Sequence, residues 1–258
     1  MGSNYKLDYN VDIVMCIDAT GSMGSLLDTV KRNALKFYDD LTSAMAVKGK
    51  YVEELRVRVV VFRDYLADGD DAMLATDFYS LPAEAEDFAA LVGSLKPFGG
   101  GDDEEDGLEA LAYAIKSDWT KAAHSRHVIV VWTDDATHKL GFGGNAENGR
   151  YLVQDKKMSF EQVKENARKY PSKMAKDFAE LSDWWGDSEQ AGLMNQSAKR
   201  LLIYAPDVRY WNAISDQWNL VIHHQSEAGK GLREIDYAEI IDTIVNSISN
   251  DAGPGLIE

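Results

Sequence analysis

The amino-acid sequence predicts an α/β fold in which a doubly wound, mostly parallel central sheet carries helices on both faces. Apolar residues fill almost every position of residues 11–17 and 127–132, and a strand of this kind is covered on both of its faces. Such runs alternate along the chain with segments whose apolar residues recur at helical spacing. Strands that alternate with helices from end to end are typical of a parallel sheet between two helix layers.

The predicted elements follow one another along the chain without an internal repeat. Strands are predicted at residues 11–17, 55–62, 73–81, 127–132, 201–205 and 220–223. Helices are predicted at residues 27–45, 88–95, 108–115, 210–218 and 237–248. Ser22 or Ser25 could cap the first helix, and Gly49 would end it.

Residues 139–196 separate the fourth and fifth predicted strands and show no strand pattern. They open with a glycine-rich stretch and continue with helical patterns at 160–167 and 174–181. We therefore predict a single domain over residues 1–258 with a helical insertion at about residues 139–197. The insertion is rich in aromatic residues, and Trp184 and Trp185 either anchor a partner protein or pack the insertion onto the domain.

Composition narrows the classes of function. The chain of 258 residues has 43 acidic and 27 basic residues and a net charge of −16, which disfavours binding to nucleic acid or anionic lipid. The single cysteine, Cys16, lies inside an apolar run and is expected to be an inert core residue. The sequence shows neither a signal-peptide pattern nor an apolar run of membrane-spanning length, so we expect a soluble cytoplasmic protein.

Oxygen-bearing side chains follow the ends of two predicted strands. The sequence Asp-Ala-Thr-Gly-Ser-Met at residues 18–23 comes directly after the first strand, and Asp134 follows the strand at 127–132. The carboxyl ends of parallel strands share one edge of a sheet, where ligands bind. Carboxylates and hydroxyls suit a hard cation, so we predict Mg²⁺, with Mn²⁺ or Ca²⁺ as alternatives. The alternative explanation is a capped turn with an unrelated aspartate.

This combination resembles the von Willebrand factor A domain family and its metal-ion-dependent adhesion site. Asp18, Thr20 and Ser22 match the first family motif, with threonine in place of its first serine, and Asp134 matches the aspartate after the fourth strand. The resemblance covers about residues 12–249. It implies a Rossmann-like sheet and a non-enzymatic module in which the cation accepts a carboxylate from a partner protein.

The glycine-rich loop before the third predicted helix departs from the family pattern. Where the family usually has Gly-Gly-Thr-Asp, residues 100–103 read Gly-Gly-Asp-Asp, similar to intracellular members that include domains joined to alpha-kinases. The resemblance implies Asp102 as the loop ligand, with Asp103 and Glu105 left as alternatives. A third carboxylate would hold the cation more tightly and leave it less charge for a partner's acid. Helix-start acids favoured by the helix dipole are the simpler explanation of this acidic run.

The resemblance implies a metal-dependent protein-binding module that serves as an intracellular interaction or regulatory subunit. A kinase, an ATPase or a bacterial defence system are partners by family analogy. The alternative is a metal-assisted hydrolase with a bound water as nucleophile and Asp135 or Glu105 as the base. His138, four residues after Asp134, either donates a hydrogen bond to one of the metal ligands or is an ordinary loop histidine.

Overall fold

The structure is a computed structural model, and it describes residues 7–142, 150–154, 168–169 and 175–250. The strands are β1 (Leu7–Asp18), β2 (Lys50–Phe62), β3 (Met73–Thr76), β4 (Tyr79–Leu81), β5 (Glu104–Glu105), β6 (Ser125–Trp132), β7 (Ala136–Thr137), β8 (Arg150–Gln154), β9 (Arg168–Lys169), β10 (Lys199–Ala205) and β11 (Val221–Gln225). The helices are α1 (Gly24–Asn33), α2 (Phe37–Val47), α3 (Tyr65–Asp68), α4 (Ala85–Ser94), α5 (Gly107–Ile115), α6 (Phe178–Trp185), α7 (Trp211–Gln217) and α8 (Tyr237–Ser249).

Within these residues nine strands form the main sheet, in the order β11-β10-β6-β1-β2-β3-β8-β9, with β4 also paired to β2. β1 lies at the centre and runs parallel to both β2 and β6. β10 and β11 continue the parallel part, whereas β3 and β4 are antiparallel to β2. The predicted fold, a mostly parallel sheet flanked by helices, is confirmed.

Alternating residues of β1 pack into two separate hydrophobic cores, one on each face of the sheet. Ile13 and Met15 pack with apolar residues of α1, α2, α4 and α8 on one face of the sheet. Val14 and Cys16 pack on the other face with α5, α6 and α7. A strand with apolar residues on both of its faces must be covered twice, which is why helices flank this sheet on both sides. All nine residues of α5 are buried, including Glu109, whose Oε1 accepts a hydrogen bond from the Gly141 nitrogen at 2.9 Å.

Several local predictions need correction. The helix predicted at 27–45 is two helices, α1 and α2, joined by a 3-10 turn at Ala34–Lys36. The strand predicted at 73–81 is two short strands, β3 and β4. The insertion is not purely helical, because β8 extends the sheet beyond β3 and pairs with it over three residues. Only three consecutive residues of β8 are apolar, which is too few to set a periodicity. The helical pattern at 160–167 lies outside the described residues.

Trp185 is a core residue and not a contact anchor. Its side chain is 0% exposed and its ring stacks on Trp218 at a centroid distance of 5.4 Å. Its indole nitrogen donates to the Asn219 carbonyl oxygen at 3.0 Å. Trp184 is partly buried under the Lys116 ammonium, which lies 4.1 Å from the centre of its ring. The packing explanation therefore holds for Trp185.

Within the described part of the chain, none of the helices combines the length and the apolar character that a membrane span requires.

Candidate metal centre

Asp18 ends β1 and is completely buried, at 0% exposure. Its Oδ1 accepts hydrogen bonds from the backbone nitrogen and the hydroxyl of Thr20, at 2.8 and 2.7 Å. Its Oδ2 accepts a hydrogen bond from the Thr133 hydroxyl at 2.7 Å. The turn after β1 and the end of β6 thus hold this carboxylate in one orientation.

Asp134 follows β6 and is also completely buried. The Ser22 hydroxyl donates to its Oδ1 at 2.7 Å, and the backbone nitrogen of Gly231 donates to its Oδ2 at 2.6 Å. Ser22 therefore belongs to this cluster, and neither α1 nor the short 3-10 turn before it has a side-chain cap. The prediction that Ser22 or Ser25 caps the helix is wrong, because the Ser22 hydroxyl is engaged by a carboxylate from across the sheet edge.

The loop before α8 is a part of the cluster that the sequence did not indicate. Gly229 donates from its backbone nitrogen to the Asp134 carbonyl oxygen at 2.8 Å, in addition to the Gly231 bond. Gly231 has a φ of +67°, and a side chain at this position would overlap the backbone carbonyl oxygen of Ser22. Only glycine allows the loop to approach the Ser22 turn this closely.

Asp135 adds a third carboxylate. Ligand oxygens of Asp18, Asp134 and Asp135 all lie within 4.8 Å of one another. The Asp135 backbone nitrogen donates to the Thr133 hydroxyl at 3.1 Å, which fixes the turn that presents it. The sequence alone indicates Asp135 only as a possible base of the alternative hydrolase, and not as a member of the metal cluster.

Two acidic residues at the end of the glycine-rich loop are buried, Glu105 and Asp106, and Asp106 accepts a hydrogen bond from the Tyr65 backbone nitrogen. β5 pairs with β7, and this pairing sets Glu105 beside Thr137. Glu105 is only 1% exposed, and its Oε2 is buried without a hydrogen-bond partner. A Cβ built on Gly100 would lie 3.0 Å from Glu105 Oε1 and 3.4 Å from Thr20 Cγ2, so the Glu105 carboxylate and Thr20 approach the same glycine.

Asp102, the favoured loop ligand, is placed elsewhere. Its side chain is 58% exposed and lies 3.6 Å from Nε2 of His138. The structure groups Asp102 with Asp64 and His138, separately from the cluster of Asp18 and Asp134. The two-residue strand β5 causes this difference, because it turns Glu105 inward and leaves Asp102 in the exposed part of the loop.

The cluster carries a concentration of negative charge that burial penalises. Burial raises the pKa of Asp18 to about 6, against the hydrogen bonds from Thr20 and Thr133, and the Asp134 charge adds to the rise. Burial, then the charges of Asp134 and Asp18, raises the pKa of Asp135 to about 7. Burial, then the charge of Asp18, raises the pKa of Glu105 to about 10.

Arg63 is a buried cation beside this cluster, and its hydrogen bonds go to backbone oxygens rather than to the carboxylates. Its guanidinium donates to backbone carbonyl oxygens of Ala19 and Phe98, both at 3.0 Å, and to those of Asp71 and Lys96. Arg63 therefore ties the Asp18 turn to the glycine-rich loop.

The donor set fits a hard divalent cation. Three clustered carboxylates, two hydroxyls and the unpartnered Glu105 oxygen are oxygen ligands, which Mg²⁺, Mn²⁺ and Ca²⁺ prefer. A bound cation would stabilise the ionised carboxylates against the burial and the mutual repulsion that raise these pKa values.

Of three comparisons with known proteins, only the comparison with solved structures finds similar proteins, and the likeness is one of fold. No protein-family model matches the sequence, and no curated protein matches it. Among solved structures the chain is similar to von Willebrand factor A domains. The von Willebrand factor type A protein from Catenulispora acidiphila is 12% identical over 93% of this chain and 43% of its own, with a TM-score of 0.47. The corresponding domain of the type V pili tip protein Mfa5 from Porphyromonas gingivalis is 13% identical over 96% of this chain and 98% of its own, with a TM-score of 0.46.

The pilus adhesin SpaC from Lactobacillus rhamnosus GG, in its open conformation, is a third similar structure. It is 12% identical over 93% of this chain, with a TM-score of 0.49. The chain spans 30% of the adhesin's length.

Proposed function

We propose that this chain is a non-enzymatic, metal-dependent protein-binding module. The proposed cation is Mg²⁺, with Mn²⁺ or Ca²⁺ as alternatives, held by Asp18, Thr20, Ser22 and Asp134. The observation that carries the proposal is the buried Glu105 oxygen without a partner, beside three clustered carboxylates. A buried carboxylate among other carboxylates is costly unless a cation joins it.

The geometry favours Glu105 and Asp135 over Asp102 as the additional acids of this centre. Asp135 shares the cluster of Asp18 and Asp134, and Glu105 is a buried loop acid with an unpartnered oxygen. Asp102 as a ligand of this first cation stays a prediction from the family resemblance.

A partner could reach the cation from the rim of the cluster. Asp18 and Asp134 are fully buried, but Gly21 and residues 99–104 around them are exposed. An acidic residue of a partner protein would complete the coordination of the ion. Because several protein carboxylates already neutralise it, we expect this contribution to be modest and the rest of the interface to supply most of the affinity.

The loop before α8 offers a route by which the cation could change the surface. Gly229 and Gly231 bind Asp134 through their backbone nitrogens, and α8 begins six residues after Gly231. A cation that competes for the Asp134 carboxylate would weaken the Gly231 bond and release this loop. A shift of α8 would then report occupancy to a partner. The identity of that partner, whether a kinase, an ATPase or a defence complex, stays an expectation by family analogy, as does an intracellular role.

Calorimetric titration of Mg²⁺ into the metal-stripped chain tests the metal part. We expect one ion per chain, and at least tenfold weaker binding in Ser22→Ala, which removes a hydroxyl from the cluster. Ser25→Ala removes an exposed hydroxyl one turn further along and serves as the matched control. Equal binding by wild type and Ser22→Ala would contradict the assignment.

Partner capture tests the module itself. Proteins retained on the immobilised chain in Mg²⁺ should be released by chelator and should not bind an Asp134→Asn variant. Retention that is indifferent to both would refute a metal-dependent interface. Metal-dependent hydrolysis of a phosphoester, lost in Asp18→Asn, would instead favour the hydrolase.

A further inference from the structure

We propose that Asp64, Asp102 and His138 form a second metal site, which takes a transition-metal ion of the Zn²⁺ class and shares no ligand with the first centre. The three side chains come from the turn after β2, the glycine-rich loop and the residue after β7. Their ligand atoms all lie within 4.8 Å of one another.

The unpartnered atom at this site is Nε2 of His138. The side chain is 2% exposed, and Nε2 is buried without a hydrogen-bond partner. It lies 3.6 Å from Asp102 Oδ1 and 4.0 Å from Asp64 Oδ1, both too long for hydrogen bonds. Ligand atoms on one tetrahedral Zn²⁺, with bonds of about 2.1 Å, lie about 3.4 Å apart. Shortening the two His138 distances by about 0.2 and 0.6 Å would therefore bring Nε2 and each carboxylate oxygen to that separation.

Glu104 supplies the support that a metal-binding histidine needs. Its Oε2 lies 3.1 Å from Nδ1 of His138. With the ring proton on Nδ1 and donated to Glu104, the Nε2 lone pair faces Asp102 and Asp64. A carboxylate behind the ring is the usual partner of a metal-binding histidine. Phe142 stacks on the imidazole at a centroid distance of 3.9 Å and holds its plane.

The chemistry of this set differs from that of the first cluster. An imidazole nitrogen with carboxylate oxygens suits Zn²⁺, Co²⁺ or Ni²⁺, whereas Mg²⁺ prefers oxygen ligands alone. Asp102 is 58% exposed, so an ion and a water ligand can enter from solvent. An ion here would pin the glycine-rich loop, and with it Glu105, to the elements that follow β2 and β7. The second site would thus set the shape of one wall of the first.

Titration of Zn²⁺ into the metal-stripped full chain, in excess Mg²⁺, tests the proposal. We expect one Zn²⁺ per chain, and a Co²⁺ complex with visible absorption bands. His138→Ala and Asp102→Asn should each weaken Zn²⁺ binding at least tenfold and remove the Co²⁺ bands. Glu104→Gln should weaken binding about tenfold, the lower end of what loss of such a supporting carboxylate costs.

His223→Ala is the matched control, since His223 lies on β11 and bonds the Ala205 carbonyl oxygen; its Zn²⁺ binding should equal that of wild type. Asp18→Asn should also keep Zn²⁺ while losing Mg²⁺, which separates this site from the first centre. Asp102 is exposed, so Asp102→Asn remains informative even if His138→Ala misfolds. Absence of Zn²⁺ binding, or wild-type affinity in Asp102→Asn, would overturn the proposal and leave His138 as a buried hydrogen-bond partner of Glu104.

Discussion

Replacing Asp18 by asparagine should change how the stability of the metal-free protein depends on pH. Asparagine has nearly the same shape, and its oxygen can keep the hydrogen bonds from the Thr20 nitrogen and hydroxyl. What it removes is a buried negative charge beside Asp134. The substitution therefore tests the electrostatic reasoning with little change in packing.

The expected magnitude follows from the pKa of Asp18, which burial raises from 3.8 to about 6. The folded protein then binds this proton more tightly than the unfolded chain does. The stabilisation is complete below pH 3.8 and is lost as the pH rises through about 6. At about 1.4 kcal/mol per pH unit the full effect is about 3 kcal/mol, of which the wild-type protein should lose about 2.4 kcal/mol relative to Asp18→Asn between pH 4 and pH 8.

Urea unfolding in chelator at several pH values between 4 and 8 would measure this difference. Asp28→Asn, an exposed carboxylate on α1, is the control and should follow the wild-type curve. At pH 8, Mg²⁺ at one hundred times its dissociation constant should raise the free energy of unfolding of wild type by about 2.7 kcal/mol. The same Mg²⁺ concentration should stabilise Asp18→Asn much less. Parallel pH curves for wild type and Asp18→Asn would refute the electrostatic reasoning.

Two further pairs of variants test the packing around the site. Gly231→Ala should lower the free energy of unfolding by at least 1 kcal/mol more than Gly229→Ala does. Both positions have a φ of +67°, but only at Gly231 would a side chain meet the Ser22 carbonyl oxygen. Equal losses of unfolding free energy would show that this loop does not need the close approach. Trp185→Ala should cost about 3 to 5 kcal/mol because it empties a buried site, whereas Trp184→Ala should cost clearly less by thermal unfolding. A larger loss at Trp184 would contradict the assignment of Trp185 to the core.

The sequence was sufficient for the features that depend on strand order. Fully apolar runs marked β1 and β6 as central strands, and the carboxyl ends of parallel strands meet at one edge. That reasoning brought Asp18 and Asp134 together and included Ser22, whose hydroxyl does bind Asp134. Asp135 follows the same strand end, so the same reasoning applies to it.

The path of the glycine-rich loop could not be predicted from strand order. Its path depends on glycine conformations and on the pairing of β5 with β7, and neither follows from periodicity. As a result Glu105 is buried whereas Asp102 is exposed. Asp64 could not be predicted as a site residue from the sequence, because only the folded chain places it near Asp102 and His138.

Anomalous scattering from crystals of the chain grown in Mn²⁺ would test the central claim most directly. The account predicts a peak in the cluster of Asp18, Ser22 and Asp134, about 2.2 Å from their nearest oxygens or from waters held by them. Absence of density there, with Asp134 still bonded to the Ser22 hydroxyl and the Gly231 nitrogen, would contradict it.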